Sequence, residues 1–315
     1  MTPDAFRLFR ELADGRTISS VRYAQRRALS RSALRRQIAR LRDAGVPVEA
    51  RRGIGYRLAW PVDLLDAGAV REATGRADFE LELHDQVDST NRILADRFAH
   101  RKAVLAEFQH AGRGRRGRAW LSPPASGIWL SYAYRFECGL TQLAALSLAL
   151  GIGIAEALPV AVGLKWPNDL LVDGRKLGGV LVELRGAAGR SCDAVIGVGI
   201  NVRLPVSSDA GVPDQPWTDL FHESCEPIDR SRLAGALIAA LDSTCRRFDR
   251  AGFDAFIDRW RRLDALRGLD VVVRRAGSSP VRGRAEGVSR RGELCLDCAG
   301  RRLCFDSGEV SVRVA

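Results

Sequence analysis

Lysine is almost missing from this 315-residue chain: Lys102, Lys165 and Lys176 are the only three among 49 basic residues. Arginine as a residue type therefore says little here, whereas the positions of the three lysines say more. No apolar run follows the charged first residues, so no secretory signal is expected. The seven cysteines are odd in number and scattered, which argues for reduced thiols in a cytoplasm rather than a disulfide framework. Cys295-x-x-Cys298 with Cys304 has no fourth ligand nearby, and its alternating context suits small buried residues in a hairpin better than a metal. Basicity, too, is missing from most of the chain. Residues 1–60 hold 14 Arg against 5 Asp and Glu, a net +9, while the other 255 residues carry only +2. That distribution disfavours a structural protein coating nucleic acid, which would need a general basic surface. With 46% apolar and 28% charged residues, the rest describes an ordinary globular protein of two or three domains.

What the chain does have is concentrated in Gln109–Trp120, QHAGRGRRGRAW. Gly112, Gly114 and Gly117 alternate with Arg113, Arg115, Arg116 and Arg118. Glycine lets backbone N–H groups approach an anion, and arginine adds a rigid fork of donors for carboxylate or phosphate. A loop closing over a phosphorylated or adenylated ligand is the reading these residues favour. The glycines also spell G-x-G-x-x-G, but Pro123–Pro124 follows where a dinucleotide fingerprint requires a helix. An RGG-like disordered tract would repeat, and this one occurs once.

Ahead of the loop, helical spacing is expected over Pro3–Ala13 and Ser19–Arg27. A third helix is expected to be capped by Ser30, with Leu34, Ile38 and Leu41 as its apolar stripe. Arg31, Arg35, Arg36, Gln37 and Arg40 occupy its other faces, and Arg51-Arg52 sits at the tip of a two-stranded wing. This is the pattern of a winged helix-turn-helix domain reading DNA over residues 1–60, or of the same fold used for protein contacts. A linker with some helix, 61–77, comes next. Phe79–Val87 reads as a strand ending at Asp88-Ser89-Thr90-Asn91, followed by a helix over Asn91–Ala99. Ser, Thr and Asn there suit an N-cap or a small polar ligand head. After the strand Gly127–Arg135, the apolar run Thr141–Leu164 is long enough to span a membrane. Gln142, Glu156 and Pro159 interrupt it, so a buried core helix over Thr141–Leu158 is expected. Lys165-Trp166-Pro167-Asn168-Asp169-Leu170, a turn at Asp173–Gly174, and strands at Val180–Arg185 and Ala194–Val198 follow. A Pro- and Asp-rich loop, 204–217, precedes two helices, Arg230–Arg250 and Phe253–Leu263. Short strands from Gly268 onward suggest a small barrel.

DSTN, QHAGRGRRGRAW, KWPNDL, RKLGGVLVE and GVGINV, in that order over about 120 residues, resemble the bifunctional biotin–protein ligases that double as biotin-operon repressors. The resemblance covers nearly the whole chain. It implies an α+β protein with an N-terminal winged helix-turn-helix, a central mixed sheet of the class II synthetase-like biotin/lipoyl ligase fold over 78–266, and an SH3-like barrel over 267–315. It further implies two-step chemistry, in which biotin and ATP form biotinyl-5′-AMP and a carrier lysine then takes the biotin. Carried onto matching positions, Ser89, Thr90, Asn91 and Gln109 form the biotin head-group shell, and Arg113, Gly114 and Arg115 fold over biotin and adenylate. Arg115 and Arg118 face phosphate, and Lys176 stands beside the biotin carboxylate. Trp120, Lys165, Asn168, Asn201 and Arg313 surround the nucleotide, with Mg²⁺ at the triphosphate. The implied partners are the biotin carboxyl carrier protein of acetyl-CoA carboxylase, operator DNA and a ligand-dependent second copy, with no membrane. The second helix, SVRYAQRRA, is more arginine-rich than an operator reader suggests, and His110 and Leu121 depart from common family residues. A lipoate–protein ligase would lack the arginine loop and winged helix. A regulator that senses the adenylate without catalysing would be told apart by turnover. All five motifs lie beyond residue 87, so the N-terminal segment is expected to be separable from the chemistry.

Overall fold

The computed structural model describes residues 1–75, 78–186, 191–205, 215–275, 277–308 and 310–314. At the N-terminus, α1 (Pro3–Leu12), β1 (Ile18–Ser19), α2 (Ser20–Arg26), α3 (Arg31–Asp43), β2 (Val48–Arg51) and β3 (Gly55–Leu58) form a winged helix-turn-helix. Thr2, Ser19 and Ser30 each cap a helix by accepting a backbone N–H through the side-chain oxygen. Phe6, Phe9, Leu34, Ile38 and Leu41 close a separate small core, and β1 adds an outer strand to the wing. Gln37 corrects the sequence reading. It is 6% exposed and lies on the core side of α3, because its position falls on the same helical face as Leu34, Ile38 and Leu41. It therefore leaves the set of candidate DNA contacts, whereas Arg31, Arg35, Arg36, Arg40, Arg51 and Arg52 are exposed.

Residues 61–75 are less of a free linker than expected. Val62 and Leu64 pack on the winged-helix core, and α4 (Ala67–Thr74) lies along a helix of the next unit. That unit starts with β4 (Glu80–Val87), α5 (Thr90–Asp96), β5 (Lys102–Gln109) and β6 (Gly127–Phe136). It continues with α6 (Leu146–Ala157), β7 (Gly163–Lys165), β8 (Asp169–Val172), β9 (Arg175–Gly186) and β10 (Cys192–Asn201). Helices α7 (Leu220–Ser224), α8 (Arg230–Ala251) and α9 (Ile257–Leu263) complete it. The seven-stranded sheet runs β4-β5-β6-β10-β9-β8-β7, with only β4 and β5 parallel. Side chains alternate between its faces. Leu130, Tyr132, Ile196 and Val198 meet α6 and α8 on one face, and Ser131, Ala133, Val195 and Gly197 turn to the other, where α5 packs.

The apolar run flagged above is a short 3-10 turn, Leu140–Leu143, followed by α6. Nine of the twelve α6 residues are buried, between the sheet and α8, which is the environment of a core helix. The loop expected over 204–217 lies largely outside the described residues. Strands β11 (Asp270–Arg275), β12 (Val281–Val288), β13 (Leu294–Cys298), β14 (Arg301–Phe305) and β15 (Val310–Val314) form an antiparallel sheet in the order β14-β13-β12-β11-β15. Among the described residues no pairing of β14 with β15 closes it into a continuous barrel. Cys295 and Cys304 face each other across β13 and β14, their sulfurs 2.8 Å apart. No group of three or more His, Cys, Asp or Glu gathers for a metal among the described residues.

The winged helix is seated on both ends of the Gly/Arg loop. Ala125, just after it, is part of the winged-helix core, and Met1 N lies 3.3 Å from a ring nitrogen of His110, at its start. Arg203 is stacked between Trp60, 4.3 Å from its ring centre, and Phe221, 3.9 Å from its own. The N-terminal segment is therefore less separable than the spacing of the motifs suggests.

Candidate active site

The site is built on the α5 face of the central sheet, where alternation in GVGIN puts Gly197, Gly199 and Asn201 on one side of β10. A Cβ on Gly197 would lie 2.4 Å from Asn91 Oδ1, and one on Gly199 2.6 Å from Trp120 Cε2. Only glycine lets the start of α5 and the end of the Gly/Arg loop lie flat on this strand.

Ser89, Thr90 and Asn91 are all buried at the junction of β4 and α5. Ser89 holds the N-cap position, yet its side chain makes no cap hydrogen bond, so capping does not explain the residue. Thr90 donates from its backbone N–H (2.9 Å) and its hydroxyl (3.1 Å) to Gln109 Oε1. Gln109 in turn donates to Ser122 Oγ at 2.9 Å. Ser131, absent from the sequence-derived set, stands 2.7 Å from Thr90 Oγ1 and 2.5 Å from Asn91 Oδ1. Its signal was available as a lone serine at mid-strand in GIWLSYAYRF. Glu183, also missed although it ends the RKLGGVLVE motif, accepts from Asn91 Nδ2 at 2.7 Å.

Beside this polar shell lies a cluster of cations. Lys176 donates to Asp169 Oδ1 at 2.6 Å, and its ammonium sits 5.2 Å from the ring centre of Trp120. Burial lowers the pKa of Lys165 below the usual lysine range, and Lys176, Arg313 and Arg118 push the same way against Asp169. Arg115 is likewise lowered by burial first, then by Arg116 and Arg118, with Asp169 opposing. Asp169, given no role at the sequence level beyond its place in the KWPNDL motif, is the carboxylate these cations share. The arrangement is short of negative charge and suits an incoming polyphosphate.

The Gly/Arg loop is drawn into a short hairpin by Gly114 N–H to Arg118 O (2.7 Å) and Trp120 N–H to Gly112 O (2.8 Å). Arg115 leaves it to reach Asn168 Oδ1 at 3.4 Å and the backbone carbonyls of Ser307 and Gly308 before β15, the latter at 3.0 Å. Arg113 and Arg118 remain exposed. Asn168 donates to Val180 O at 2.7 Å just after the cis Trp166–Pro167 bond, and Asn201 donates to Thr218 O at 3.0 Å. Both amides therefore hold the local backbone, and Asn168 also meets Arg115 of the cation cluster. Arg313 is exposed on β15, and its charge bears on Lys165.

Comparison with known proteins agrees with this layout. Residues 83–201 match the biotin/lipoate A/B protein ligase family, residues 6–57 an HTH domain and residues 270–313 the biotin protein ligase C-terminal domain. The chain is 37% identical over 314 residues to the bifunctional ligase/repressor BirA of Salmonella typhimurium, covering 96% of each chain. It is 36% identical to that of Escherichia coli, covering 96% of this chain and 95% of that one. The biotin protein ligase from Aquifex aeolicus, solved in complex with biotin and ATP, superposes with a TM-score of 0.63 at 26% identity. That match covers 75% of this chain and 99% of the other.

Proposed function

The chain belongs to the biotin–protein ligase family, and from that premise we propose that it activates biotin with ATP and transfers it to a carrier lysine. The observation that carries this reading is the adjacency of two chemically different halves. One is the polar shell of Thr90, Asn91, Gln109 and Ser131, and the other is the cation cluster around Asp169 and Lys176. The shell, with Ser89, suits a ureido ring that offers one carbonyl acceptor and two N–H donors. The cluster suits the α-phosphate and the departing pyrophosphate.

In the first step a biotin carboxylate oxygen attacks the α-phosphorus, the bond to the bridging oxygen breaks, and pyrophosphate leaves with the electron pair. In the second, the carrier's lysine amine attacks the biotinyl carbonyl and AMP departs. The substrates supply both nucleophiles, so the chain's work is alignment, charge neutralisation and exclusion of water. Lys176, Arg115 and Arg118 neutralise the reacting carboxylate and phosphate, and Arg113, Gly114 and Arg115 fold over biotin and the adenylate. Trp120, Lys165, Asn168, Asn201 and Arg313 frame the nucleotide. Mg²⁺ fits as a guest of the phosphates rather than of a protein cage, since among the described residues Asp169 is the one carboxylate in contact with Lys176 and no ligand cluster gathers. When bound it would neutralise phosphate charge, with Asp169 as its protein contact. Residues 1–60 serve DNA, 61–77 the connection, 78–266 the chemistry and 267–315 the nucleotide end. The purified chain should exchange labelled pyrophosphate into ATP only when biotin is present; exchange that ignores biotin, or none at all, removes the assignment.

The second role is biotin-responsive repression in the cytoplasm, with the biotin carboxyl carrier protein as acceptor when operator DNA is free. A homodimer favoured by the adenylate would present two α3 helices to a palindrome, which binds far better than one. Arg35 and Arg36 are exposed on α3, whose apolar face packs into the separate winged-helix core. Replacing both by alanine should weaken binding to the protein's own biotin-gene promoters and reduce the log–log salt slope by about one for each phosphate no longer neutralised. Biotin transfer should be unaffected. Mobility shifts across a salt series provide the check, and an unaltered slope would leave α3 without a role on DNA.

A further inference from the structure

The polar shell is a chain of hydrogen bonds whose direction is imposed from both ends. At one end, the backbone and hydroxyl donors of Thr90 both go to Gln109 Oε1, at 2.9 and 3.1 Å. The single Thr90 hydroxyl proton is thereby spent, so Thr90 Oγ1 offers Ser131 only lone pairs. At the other end, Glu183 receives Asn91 Nδ2 at 2.7 Å. An ionised carboxylate only accepts, so it forces the Asn91 amide to turn its Oδ1 toward Ser131. Ser131, 0% exposed, then faces two acceptors, Thr90 Oγ1 at 2.7 Å and Asn91 Oδ1 at 2.5 Å, with one proton to give.

One acceptor is therefore left short of a donor inside a buried shell, which is costly unless a ligand supplies it. A simple rearrangement would remove the shortage. If Asn91 rotated its amide, Nδ2 would donate to Ser131, Ser131 to Thr90, and Thr90 to Gln109, so each group in that chain would have a donor, while Asn91 Oδ1 would be turned onto the Glu183 carboxylate. What opposes that rotation is the carboxylate of Glu183, an exposed residue on β9 whose side chain reaches in only as far as Asn91.

We propose that Glu183 is a positioning residue for head-group specificity: it holds Asn91 with its carbonyl oxygen inward and so keeps an acceptor open for a ureido N–H. The proposal rests on the biotin reading and deepens it. Glu183 touches no substrate in this scheme and acts only through Asn91. It selects ligands bearing an N–H donor at that point over ring systems of the same shape that lack one.

The test is steady-state biotin-dependent pyrophosphate exchange with the full chain and with Glu183→Gln and Glu183→Ala. Biotin is compared with the two analogues in which one or the other ureido N–H is replaced by oxygen. Glutamine keeps the shape but can also donate, and alanine removes the constraint. Because Glu183 is exposed, both variants are expected to unfold at the wild-type midpoint, which a melting curve verifies. The KM for biotin should rise about tenfold in Glu183→Ala, the worth of one well-placed hydrogen bond, with a smaller rise in Glu183→Gln. The KM for ATP should stay put. The deciding quantity is the KM ratio of oxygen analogue to biotin, which should be high in the wild type for at least one analogue and should collapse toward one in Glu183→Ala. A merely structural role would raise all KM values together and leave that ratio unchanged, which overturns the proposal. Exchange in the wild type with an unchanged ratio refutes Glu183 alone, whereas no exchange in the wild type refutes the biotin reading along with it.

Discussion

Replacing Lys176 by alanine is expected to slow formation of biotinyl-5′-AMP by about 10²–10³, the usual loss when one preorganised charge-stabilising donor is removed. Lys176 is held on two sides, by Asp169 at 2.6 Å and by the face of Trp120, so its ammonium is in place before substrate arrives. Preorganisation is what makes such a group effective, because no reorganisation is required as negative charge develops. Its side chain is 24% exposed, and a partly solvated pair of this kind contributes little to stability, about 1 kcal/mol or less. The variant should therefore fold normally and fail chemically. Lys176→Arg should not restore the rate, since a planar guanidinium in the same space would displace Trp120 from its seat on Gly199. Single-turnover measurement of adenylate with radiolabelled ATP separates the outcomes. An alanine variant adenylating at the wild-type rate would exclude Lys176 from the first step.

The largest effect on stability is expected at a buried ion pair that is no part of the cation cluster. Arg230 on α8 and Glu107 on β5 are 3% and 2% exposed and meet at 2.8 Å. Arg230 also donates to Gly127 O at 2.9 Å and to Asp63 O at 2.7 Å, while Glu107 accepts the backbone N–H of Leu65. Together they fasten the connecting segment 63–65 to the strands that flank the Gly/Arg loop. Removing one partner leaves a buried charge uncompensated, at a cost of about 3–5 kcal/mol. Glu107→Ala or Arg230→Ala should accordingly lower the midpoint of urea unfolding sharply. A buried pair replaced by apolar residues often recovers the loss, but Glu107→Leu with Arg230→Met should not do so here. The double variant still strips partners from the backbone groups of Asp63, Leu65 and Gly127, each costly when buried and unpaired. A double variant as stable as the wild type would mean that those backbone contacts carry no weight.

Periodicity alone located most of the elements, and the misses have physical causes. α5 begins at Thr90 and ends at Asp96, earlier at both ends than the pattern suggests, because nothing in NRILADRFAH marks a stop before Ala99. β9 and β10 extend well beyond the apolar stretches that announced them, since backbone pairing continues where glycine leaves no hydrophobic signal. Gln37 sits among four arginines and shares their polarity, so only the helical phase set by packing reveals that it faces inward.

By itself, the sequence determined the chemistry on offer: the Gly/Arg loop, two of only three lysines in adjoining motifs, a net charge concentrated in residues 1–60, and the order of motifs that marks the family. Those are properties of residue type and local spacing, which the unfolded chain already possesses. Tertiary structure alone decided which polar groups meet. Ser131, Asn91 and Glu183 come from three separate elements and touch because β6, β10 and β9 are neighbours in one sheet with α5 laid across it. Likewise Ala125 enters the winged-helix core, and Arg230 reaches Asp63, Glu107 and Gly127, only after the chain has doubled back. A hydrogen bond depends on distances of about 3 Å and on which group carries the proton, and neither exists until distant segments are packed against each other.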